Sequence, residues 1–254
     1  MYQASRQLDI VREVCKQAGV IALRYWNHGI DAETKPDDSP VTIADKECER
    51  LIVSKLEEAF PGDGFLGEEG SSKESSTGRR WIIDPIDGTR DFLRGNPAWA
   101  VLVGLEEQNE VVAGVSYLPA LNQMYFAMRG GGAFCNDEPI HASKISDVSQ
   151  AVLCVNGLNR VERLPFSAGL LGWMNQFWAV RSMGGCLDAM MVSSGQAEVW
   201  LEIAGKPWDF APLKIIAEEA GAKFFNFDGG SSIYGGNCIV CAPGLEQMAR
   251  RFVS

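Results

Sequence analysis

The chain has 254 residues, 46% of them hydrophobic and 22% charged, which is enough to build a sizeable core as one large domain or as two closely packed halves. Its formal net charge of −10 argues against non-specific binding to nucleic acid, so no DNA partner is expected. An anionic small molecule can still bind such a protein where cations reverse the local field.

The chain carries an odd number of cysteines, seven, and several of them lie in apolar runs. The pair Cys238 and Cys241 lies in the run Cys-Ile-Val-Cys without a second pair at zinc-site spacing, which favours core thiols over a metal or redox motif. Reduced cysteines, no signal-peptide pattern at the N-terminus and no apolar run of membrane-spanning length together predict a cytoplasmic protein without membrane association.

Two helices are predicted in the first sixty residues. Apolar side chains recur at helical spacing over residues 3–26, and a second amphipathic helix follows residues 41–45 and runs to about Phe60. The prolines and short polar residues of segment 35–40 predict a loop between them. Residues 71–78 are small and polar, which is typical of a mobile lid or of a plain surface loop.

A buried strand is predicted over residues 81–84, and it should stop at Pro85, which fixes its own φ and lacks an N–H group. Asp84 and Asp87 then lie at the end of the strand and in the turn after it. Gly88 lets a ligand approach the backbone, and Thr89 begins a segment that can form a helix. Carboxylates beside free N–H groups suit a metal-bound phosphate, although an Asp-rich turn without function is the alternative for this motif alone.

Strands dominate the next part of the chain, over residues 99–105, 111–117 and 123–128. Residues 130–132 are three glycines, which we interpret as a turn because no Lys-Ser/Thr pair follows them as in a phosphate-binding loop.

From about residue 145 a second half alternates strands with helices, without the regular rhythm of a doubly wound sheet, which predicts stacked layers of helices and mixed sheets. The predicted strands cover residues 151–155, 177–180, 199–202, 223–225 and 237–241, and the predicted helices cover residues 160–175, 186–194, 207–220 and the chain from about 245. Asp209 lies in the first turn of the helix that Pro207 begins, where the helix dipole favours a negative charge.

Three separated elements therefore end in carboxylates: Glu68 with Glu69, Asp84 with Asp87, and Asp209. Like charges on buried ends repel one another unless a cation neutralises them. Because the chain has only two histidines, oxygen ligands for Mg²⁺ or Mn²⁺ are favoured over a Zn²⁺ site. Taken singly, each carboxylate could equally be a solvated charge or a helix cap.

These motifs resemble those of the inositol monophosphatase family, the Mg²⁺-dependent, lithium-sensitive phosphomonoesterases. The resemblance covers nearly the whole chain and implies an α+β fold, the layered αβαβα sandwich of the inositol monophosphatase and fructose-1,6-bisphosphatase type. It also implies an N-terminal half, residues 1–145, with most metal ligands, and a C-terminal half, residues 146–254, with Asp209 and the substrate pocket, in one compact unit. The signatures are Gly67-Glu68-Glu69, Asp84-Pro85-Ile86-Asp87-Gly88-Thr89 and Pro207-Trp208-Asp209-x-Ala211, in the family's order.

The resemblance implies two or three Mg²⁺ ions in the active site, for which Mn²⁺ could substitute. The first ion would be held by Glu68, Asp84 and the carbonyl group of Ile86. The second would be held by Asp84, Asp87 and Asp209, and Glu68 could bind a third, weaker ion.

The nucleophile implied by the resemblance is a water activated by the metal and oriented by Thr89 and Glu68. Asp45 would support Thr89 without binding an ion itself, and Lys35 would lie near the ions. The plain alternatives are a charge at a helix N-terminus for Asp45 and a solvated loop residue for Lys35.

The substrate-binding residues implied by the resemblance lie on both sides of the metal site: Asp87, Gly88, Thr89, Gly184, Gly185, Cys186 and Glu202. Residues 182–188 depart from the usual Gly-Ser-Ala-Ala-Leu type of run at the family's substrate pocket. In that run Asp188 could add a carboxylate for an amine substrate, but a capping or solvated role is favoured.

Glu202 stands seven residues before Asp209, where inositol phosphatases place a carboxylate for substrate hydroxyl groups. Histidinol-phosphate phosphatases of the family also carry a Glu there, which could meet an ammonium group, whereas the branch acting on 3′(2′),5′-bisphosphate nucleotides usually lacks it. Inositol monophosphatase-like activity is therefore the first expectation, and the other two phosphatases are its alternatives.

A rival from another class is a non-catalytic protein that keeps the metals for stability and binds or regulates a partner. The complete set of Glu68, Asp84, Asp87, Thr89 and Asp209 argues against it. The resemblance further implies a homodimer whose ligand is a small phosphate monoester.

Overall fold

A computed structural model describes residues 6–28, 32–35 and 40–254. Most of the predicted loop over residues 35–40 lies outside the described residues. The α-helices are α1 (Arg6–His28), α2 (Ile43–Ala59), α3 (Thr89–Leu93), α4 (Leu170–Met174), α5 (Gly185–Ser193), α6 (Pro207–Glu219) and α7 (Glu246–Val253). The strands are β1 (Ala32–Thr34), β2 (Pro40–Thr42), β3 (Gly64–Gly67), β4 (Ser72–Lys73), β5 (Arg79–Asp87), β6 (Ala100–Glu107), β7 (Glu110–Leu118), β8 (Gln123–Met128), β9 (Ala133–Cys135), β10 (Glu138–Ile140), β11 (Val152–Asn156), β12 (Ala179–Arg181), β13 (Val199–Glu202), β14 (Lys223–Phe225) and β15 (Cys238–Cys241).

The larger sheet has eight strands in the order β10-β9-β8-β7-β6-β5-β3-β4. All neighbouring strands in it are antiparallel except β3 and β5, which are parallel. Strand β5 is central to the core because Trp81, Ile82 and Ile83 are buried almost completely. Because β3 and β5 are parallel, their carboxyl ends point the same way. The residues that follow the two strands therefore meet at one edge of the eight-stranded sheet.

The smaller sheet has five strands in the order β12-β11-β13-β15-β14 and mixes parallel with antiparallel pairs. Parallel pairing of β11 with β13 places Asn156 opposite Glu202 at the carboxyl ends of the two strands. Strands β1 and β2 form a separate antiparallel pair before α2.

Five layers follow from the way the elements pack, and they confirm the predicted αβαβα sandwich. Helices α1 and α2 cover one face of the eight-stranded sheet, and their apolar faces share a core with Ile83 and Val101. Helices α5 and α6 fill the space between the two sheets. Helices α4 and α7 cover the far face of the five-stranded sheet. The predicted division into halves at residues 145 and 146 stays a prediction.

The segment over residues 160–175 differs from the single helix that its pattern predicts. It forms 3₁₀ turns at Leu158–Arg163 and Ser167–Gly169 before the short helix α4. Pro165 interrupts the backbone hydrogen bonding between the two turns, which explains why one continuous helix does not form.

All seven cysteines are unpaired, and the thiols of Cys238 and Cys241 are buried in different cores on the two faces of β15. This agrees with the prediction of core thiols at these two positions. Within the described residues, none of the helices combines the length and the apolar character that a membrane crossing requires.

Candidate active site

Asp84 and Asp87 lie on β5, which continues through Pro85 instead of ending before it. The expectation that Pro85 ends the strand was wrong, because the pairing of β5 with β6 shifts register between Asp84 and Asp87 and so accommodates a residue without an N–H group. Asp84 is 2% exposed, and its Oδ1 atom accepts a hydrogen bond from the backbone N–H of Ile86 at 3.0 Å.

Gly88 turns the chain from β5 into α3. Its φ of +83° is strained for any residue with a Cβ, and a Cβ there would lie 2.9 Å from the carbonyl oxygen of Ala98. The tight turn places Thr89 at the start of α3, where its hydroxyl group donates to the carbonyl oxygen of Ile86 at 3.2 Å.

Glu68 reaches the same edge from β3. The backbone N–H of Glu68 donates to the carbonyl oxygen of Ile83 at 3.0 Å, so Glu68 stands beside Asp84. The Lys35 ammonium group contacts Glu68 Oε1 at 2.9 Å and Glu69 Oε1 at 2.6 Å. Partial burial would lower the pKa of Lys35, but hydrogen bonds to Glu69 and Glu68 outweigh it and raise that pKa.

Asp209 comes from the other half of the chain, in the first turn of α6. Its Oδ2 atom accepts a hydrogen bond from the backbone N–H of Lys206 at 2.7 Å, which fixes the side chain at the helix start. One carboxylate oxygen from each of Asp84, Asp87 and Asp209 lies within 4.8 Å of the others. The fold therefore brings together carboxylates that are far apart in the sequence.

The protonation of these carboxylates reflects their crowding. Burial, followed by repulsion from Glu68, Asp87 and Asp209, raises the pKa of Asp84 well above its ordinary value. Burial and then repulsion from Asp87 likewise raise the pKa of Asp209. Burial raises the pKa of Asp87 to about 6, even though the Cys186 thiol and backbone N–H donate hydrogen bonds to it.

The donor set fits divalent oxygen-binding cations. Asp84, Asp87 and Asp209 supply hard oxygens at short separation, and Ile86 lines the same cavity. Burial and then mutual repulsion raise the pKa values of these carboxyl groups, and a bound cation would oppose both effects by favouring the ionised forms.

The cavity at this edge has a volume of about 260 Å³. Five acidic side chains and one basic side chain line it, so a phosphate would be repelled unless cations were bound. Three lining residues, Arg90, Asp91 and Asn156, are not among the site residues that the sequence motifs predict. The full lining is Glu68, Asp84, Ile86, Asp87, Gly88, Thr89, Arg90, Asp91, Asn156, Gly184, Gly185 and Asp209.

Glu202 lies just behind the cavity wall. Its Oε2 atom accepts a hydrogen bond from the Asn156 side-chain amide at 2.6 Å, and Asn156 in turn lines the cavity. Burial raises the pKa of Glu202 to about 7, although the hydrogen bonds from Asn156 and from the backbone of Ala204 oppose this. Only the pairing of β11 with β13 brings Asn156 to this site, so no local sequence signal identifies it.

Two carboxylates flank the pair Gly184 and Gly185 at the start of α5. A Cβ at Gly184 would lie 3.8 Å from Asp91 Oδ2, and a Cβ at Gly185 would lie 3.3 Å from Glu202 Oε2. The Asp91 carboxylate also accepts a hydrogen bond from the Asn96 side chain through Oδ1, at 2.6 Å. The other oxygen of Asp91, Oδ2, faces Gly184. In the sequence, Asp91 comes two residues after Thr89, the last residue of the Asp84–Thr89 motif.

Asp188 and Cys186 point inward from α5. Asp188 is fully buried and accepts a hydrogen bond from the backbone N–H of Met183 at 3.1 Å, so it caps this turn and does not line the cavity. Cys186 is 1% exposed and acts on the site through its hydrogen bonds to Asp87.

Asp45 lies in the first turn of α2, where its Oδ2 atom accepts a hydrogen bond from the backbone N–H of Thr42 at 2.7 Å. Its Oδ1 atom is buried and has no hydrogen-bond partner among the described residues. Burial and then the charge of Glu68 raise the pKa of Asp45, although its hydrogen bonds from Thr42 oppose this. Asp45 is thus both the charge at a helix N-terminus and a neighbour of the acidic cluster.

We expect Asp84→Asn to stabilise the metal-free protein, because the change removes one of the buried like charges and leaves an acceptor for the Ile86 N–H group. The thermal midpoint without Mg²⁺ should rise by about 2–4 °C, which corresponds to roughly 1 kcal/mol for a chain of this size. The rise that Mg²⁺ induces should shrink. Thermal unfolding with and without Mg²⁺ measures both quantities.

Glu138→Gln is the matched control, because it removes the same charge from an exposed side chain. It should change neither quantity. A lower midpoint for Asp84→Asn without Mg²⁺, together with an undiminished response to Mg²⁺, would contradict the repulsive cluster.

Comparison with known proteins places the chain among phosphatases. Residues 4–253 match the model of the inositol monophosphatase family. A histidinol-phosphatase of Chlorobaculum parvum is 38% identical over 97% of this chain and 95% of its own length. An inositol-1-monophosphatase of Mesorhizobium japonicum is 36% identical over 96% of this chain and 94% of its own length.

Solved structures give the same result for the fold. An IMPase from Thermotoga maritima superposes with a TM-score of 0.89 at 28% identity, over 98% of this chain and 97% of the other. The extragenic suppressor protein suhB from Bartonella henselae gives a TM-score of 0.90 at 28% identity, over 98% of this chain and 99% of the other. With its signatures, its layered fold and these relatives, the chain belongs to the inositol monophosphatase family.

Proposed function

We propose that this protein hydrolyses a small phosphate monoester with the help of bound Mg²⁺. The observation that carries the proposal is the cluster of Asp84, Asp87 and Asp209, whose carboxylate oxygens lie within 4.8 Å of one another. Crowded carboxylates are costly to a protein that does not use them, whereas a phosphatase needs them to hold cations against the phosphate.

The chain's own residues divide the work between holding ions and holding phosphate. Glu68, Asp84 and the Ile86 carbonyl group would hold one ion, and Asp84, Asp87 and Asp209 a second. The backbone N–H groups at the start of α3, at Gly88 and Thr89, would face the phosphoryl oxygens.

When bound, the cations supply positive charge to the phosphoryl group and make a water more acidic. The Thr89 hydroxyl group lies beside the Ile86 carbonyl oxygen and can orient that water, with Glu68 as the nearby proton acceptor. Lys35 donates hydrogen bonds to Glu68 and Glu69 and so fixes the position of the Glu68 carboxylate.

Phosphate release should require a divalent cation. Chelation with EDTA should abolish it and Mg²⁺ should restore it, with Mn²⁺ as a substitute. Asp209→Asn should lower kcat/KM by more than about a hundredfold, beyond the effect typical of a residue that only supports a ligand. Glu138→Gln should keep full activity. Unchanged turnover in EDTA would refute the proposal, and inhibition by lithium would add support for weakly held hard cations.

For the alcohol part of the ester, we propose L-histidinol phosphate ahead of the inositol monophosphates. The identities of the two relatives, 38% and 36%, do not separate these substrates. The supporting observation is the pair Asp91 and Glu202, whose oxygens lie on both sides of Gly184 and Gly185. An ammonium group near the ester would find two carboxylates there, whereas the hydroxyl groups of a polyol need hydrogen-bond acceptors but no charge to neutralise.

Asp91→Asn tests this choice. The change keeps the acceptor that Asn96 contacts and removes the charge, so kcat/KM for L-histidinol phosphate should fall about tenfold, or roughly 1.4 kcal/mol. The value for myo-inositol 1-phosphate, measured on the same preparation, should change by less than about twofold. An equal fall with both substrates would show that Asp91 acts on the phosphate or on the fold instead of on the ammonium group.

Measuring phosphate release also distinguishes two other functions. A preference for 3′-phosphoadenosine 5′-phosphate would assign the chain to the nucleotidase branch. No phosphate release from any ester, with Mg²⁺ binding intact, would favour the non-catalytic binding protein.

We also propose a homodimer in the cytoplasm. The free state of all seven cysteines suits a reducing compartment. Strand β12 is an edge of its sheet, and exposed apolar side chains lie near it in the sequence, with Trp178 at 73% exposure and Met183 at 46%. Sedimentation velocity should give twice the mass of the chain, and a monomer at micromolar concentration would contradict the proposal.

A further inference from the structure

We infer that Glu49 is a positioning residue that fixes the metal ligand Glu68. Glu49 lies on α2, one helical turn after Asp45, and is 2% exposed. None of the sequence signatures contains it, and it does not line the cavity. A buried carboxylate at such a place needs partners, and its partners turn out to belong to the segment that carries Glu68.

Both oxygens of the Glu49 carboxylate accept hydrogen bonds from backbone N–H groups of one turn. The N–H of Glu69 donates to Oε2 at 2.8 Å, and the N–H of Ser71 donates to Oε1 at 2.9 Å. Bonds to an ionised acceptor are roughly twice as strong as bonds between neutral groups. Glu49 therefore closes the turn that follows β3.

The turn is shaped around this carboxylate. A Cβ at Gly67 would lie 2.5 Å from Glu49 Oε2, so only glycine lets the side chain approach the backbone this closely. The N–H of Gly67 also donates to the carbonyl oxygen of Ser71 at 2.7 Å, which ties the two ends of the turn together.

Glu68 is thereby held from both sides. Its own N–H group is bonded to the Ile83 carbonyl oxygen on β5, and the next N–H group, of Glu69, is bonded to Glu49. Because Asp84 directly follows Ile83, this pair of anchors sets the position of Glu68 relative to Asp84. Glu49 acts on the metal site through Glu68, without touching an ion or the substrate.

The inference rests on the proposed metal site, so the test measures Mg²⁺ binding directly as well as turnover. In Glu49→Gln the side-chain amide would point its NH₂ group at one of the two backbone N–H groups, and that bond would be lost. Calorimetric titration should show Mg²⁺ binding weakened by about 10–100-fold, as is typical when a group supporting a metal ligand is removed. At saturating Mg²⁺, kcat should return to within about threefold of the parent value.

Glu198→Gln is the matched control. Glu198 is a buried carboxylate, 3% exposed, which accepts a backbone hydrogen bond from Val152 at 2.6 Å at the five-stranded sheet, away from the cavity. Both variants should lose stability in urea, but only Glu49→Gln should lose Mg²⁺ affinity. If Glu49→Gln does not fold, Glu49→Asp keeps the charge with a side chain too short to bridge both N–H groups, and it should show the same loss.

Unchanged Mg²⁺ affinity in a folded Glu49 variant would overturn the inference. If the parent protein binds Mg²⁺ but releases no phosphate, the proposed activity fails while the titration still decides the role of Glu49. A parent protein that binds no Mg²⁺ would overturn both.

Discussion

Repulsion among buried carboxylates is the constraint on which the rest of this structure depends. Asp84, Asp87 and Asp209 are held by backbone elements that cannot move apart without unpacking the sheets and helices around them. Burial and mutual repulsion raise the pKa of Asp84 and of Asp209, so the folded chain carries an electrostatic cost that hydrophobic burial elsewhere must exceed. A cation bound among these carboxylates would offset that cost, and elements already fixed by the core would hold them in place for it.

The layers explain how distant segments meet at one edge. Parallel pairing of β3 with β5 aligns Glu68 with Asp84, and α6, packed between the two sheets, delivers Asp209 from the far half of the chain. Backbone hydrogen bonds fix two of these carboxylates: the Ile86 N–H group bonds Asp84, and the Lys206 N–H group bonds Asp209. The site is therefore built from the ends of strands and helices whose remaining residues pack in the core. The packing of the core does not depend on which side chains stand at those ends.

The sequence predicted the residues that carry strong local signals and missed those that depend on pairing or on long-range contact. Asp84, Asp87 and Asp209 follow apolar runs or begin a helix, so hydrophobic periodicity was enough to place them. The prediction that the strand ends at Pro85 was wrong, because a register shift between β5 and β6 accommodates this proline inside the strand. Asn156 reaches the cavity only through the pairing of β11 with β13. Glu49 has no local sequence signal, because its hydrogen-bond partners lie in the turn after β3, about twenty residues further along the chain. The fold class itself followed from the family resemblance more than from periodicity.

The negative charge of the cavity can serve two purposes at its two ends. At the end of β5 it gathers cations, without which a phosphate would be repelled. Near the start of α5, Asp91 and Glu202 lie outside the cluster of Asp84, Asp87 and Asp209, so their carboxylates would be available to the proposed substrate. A substrate that carries a phosphate and an ammonium group matches this distribution, with each of its charges placed against the opposite sign. A neutral polyol would offer only hydroxyl donors to the second end, and the charge of Asp91 would then have no opposite charge in the complex.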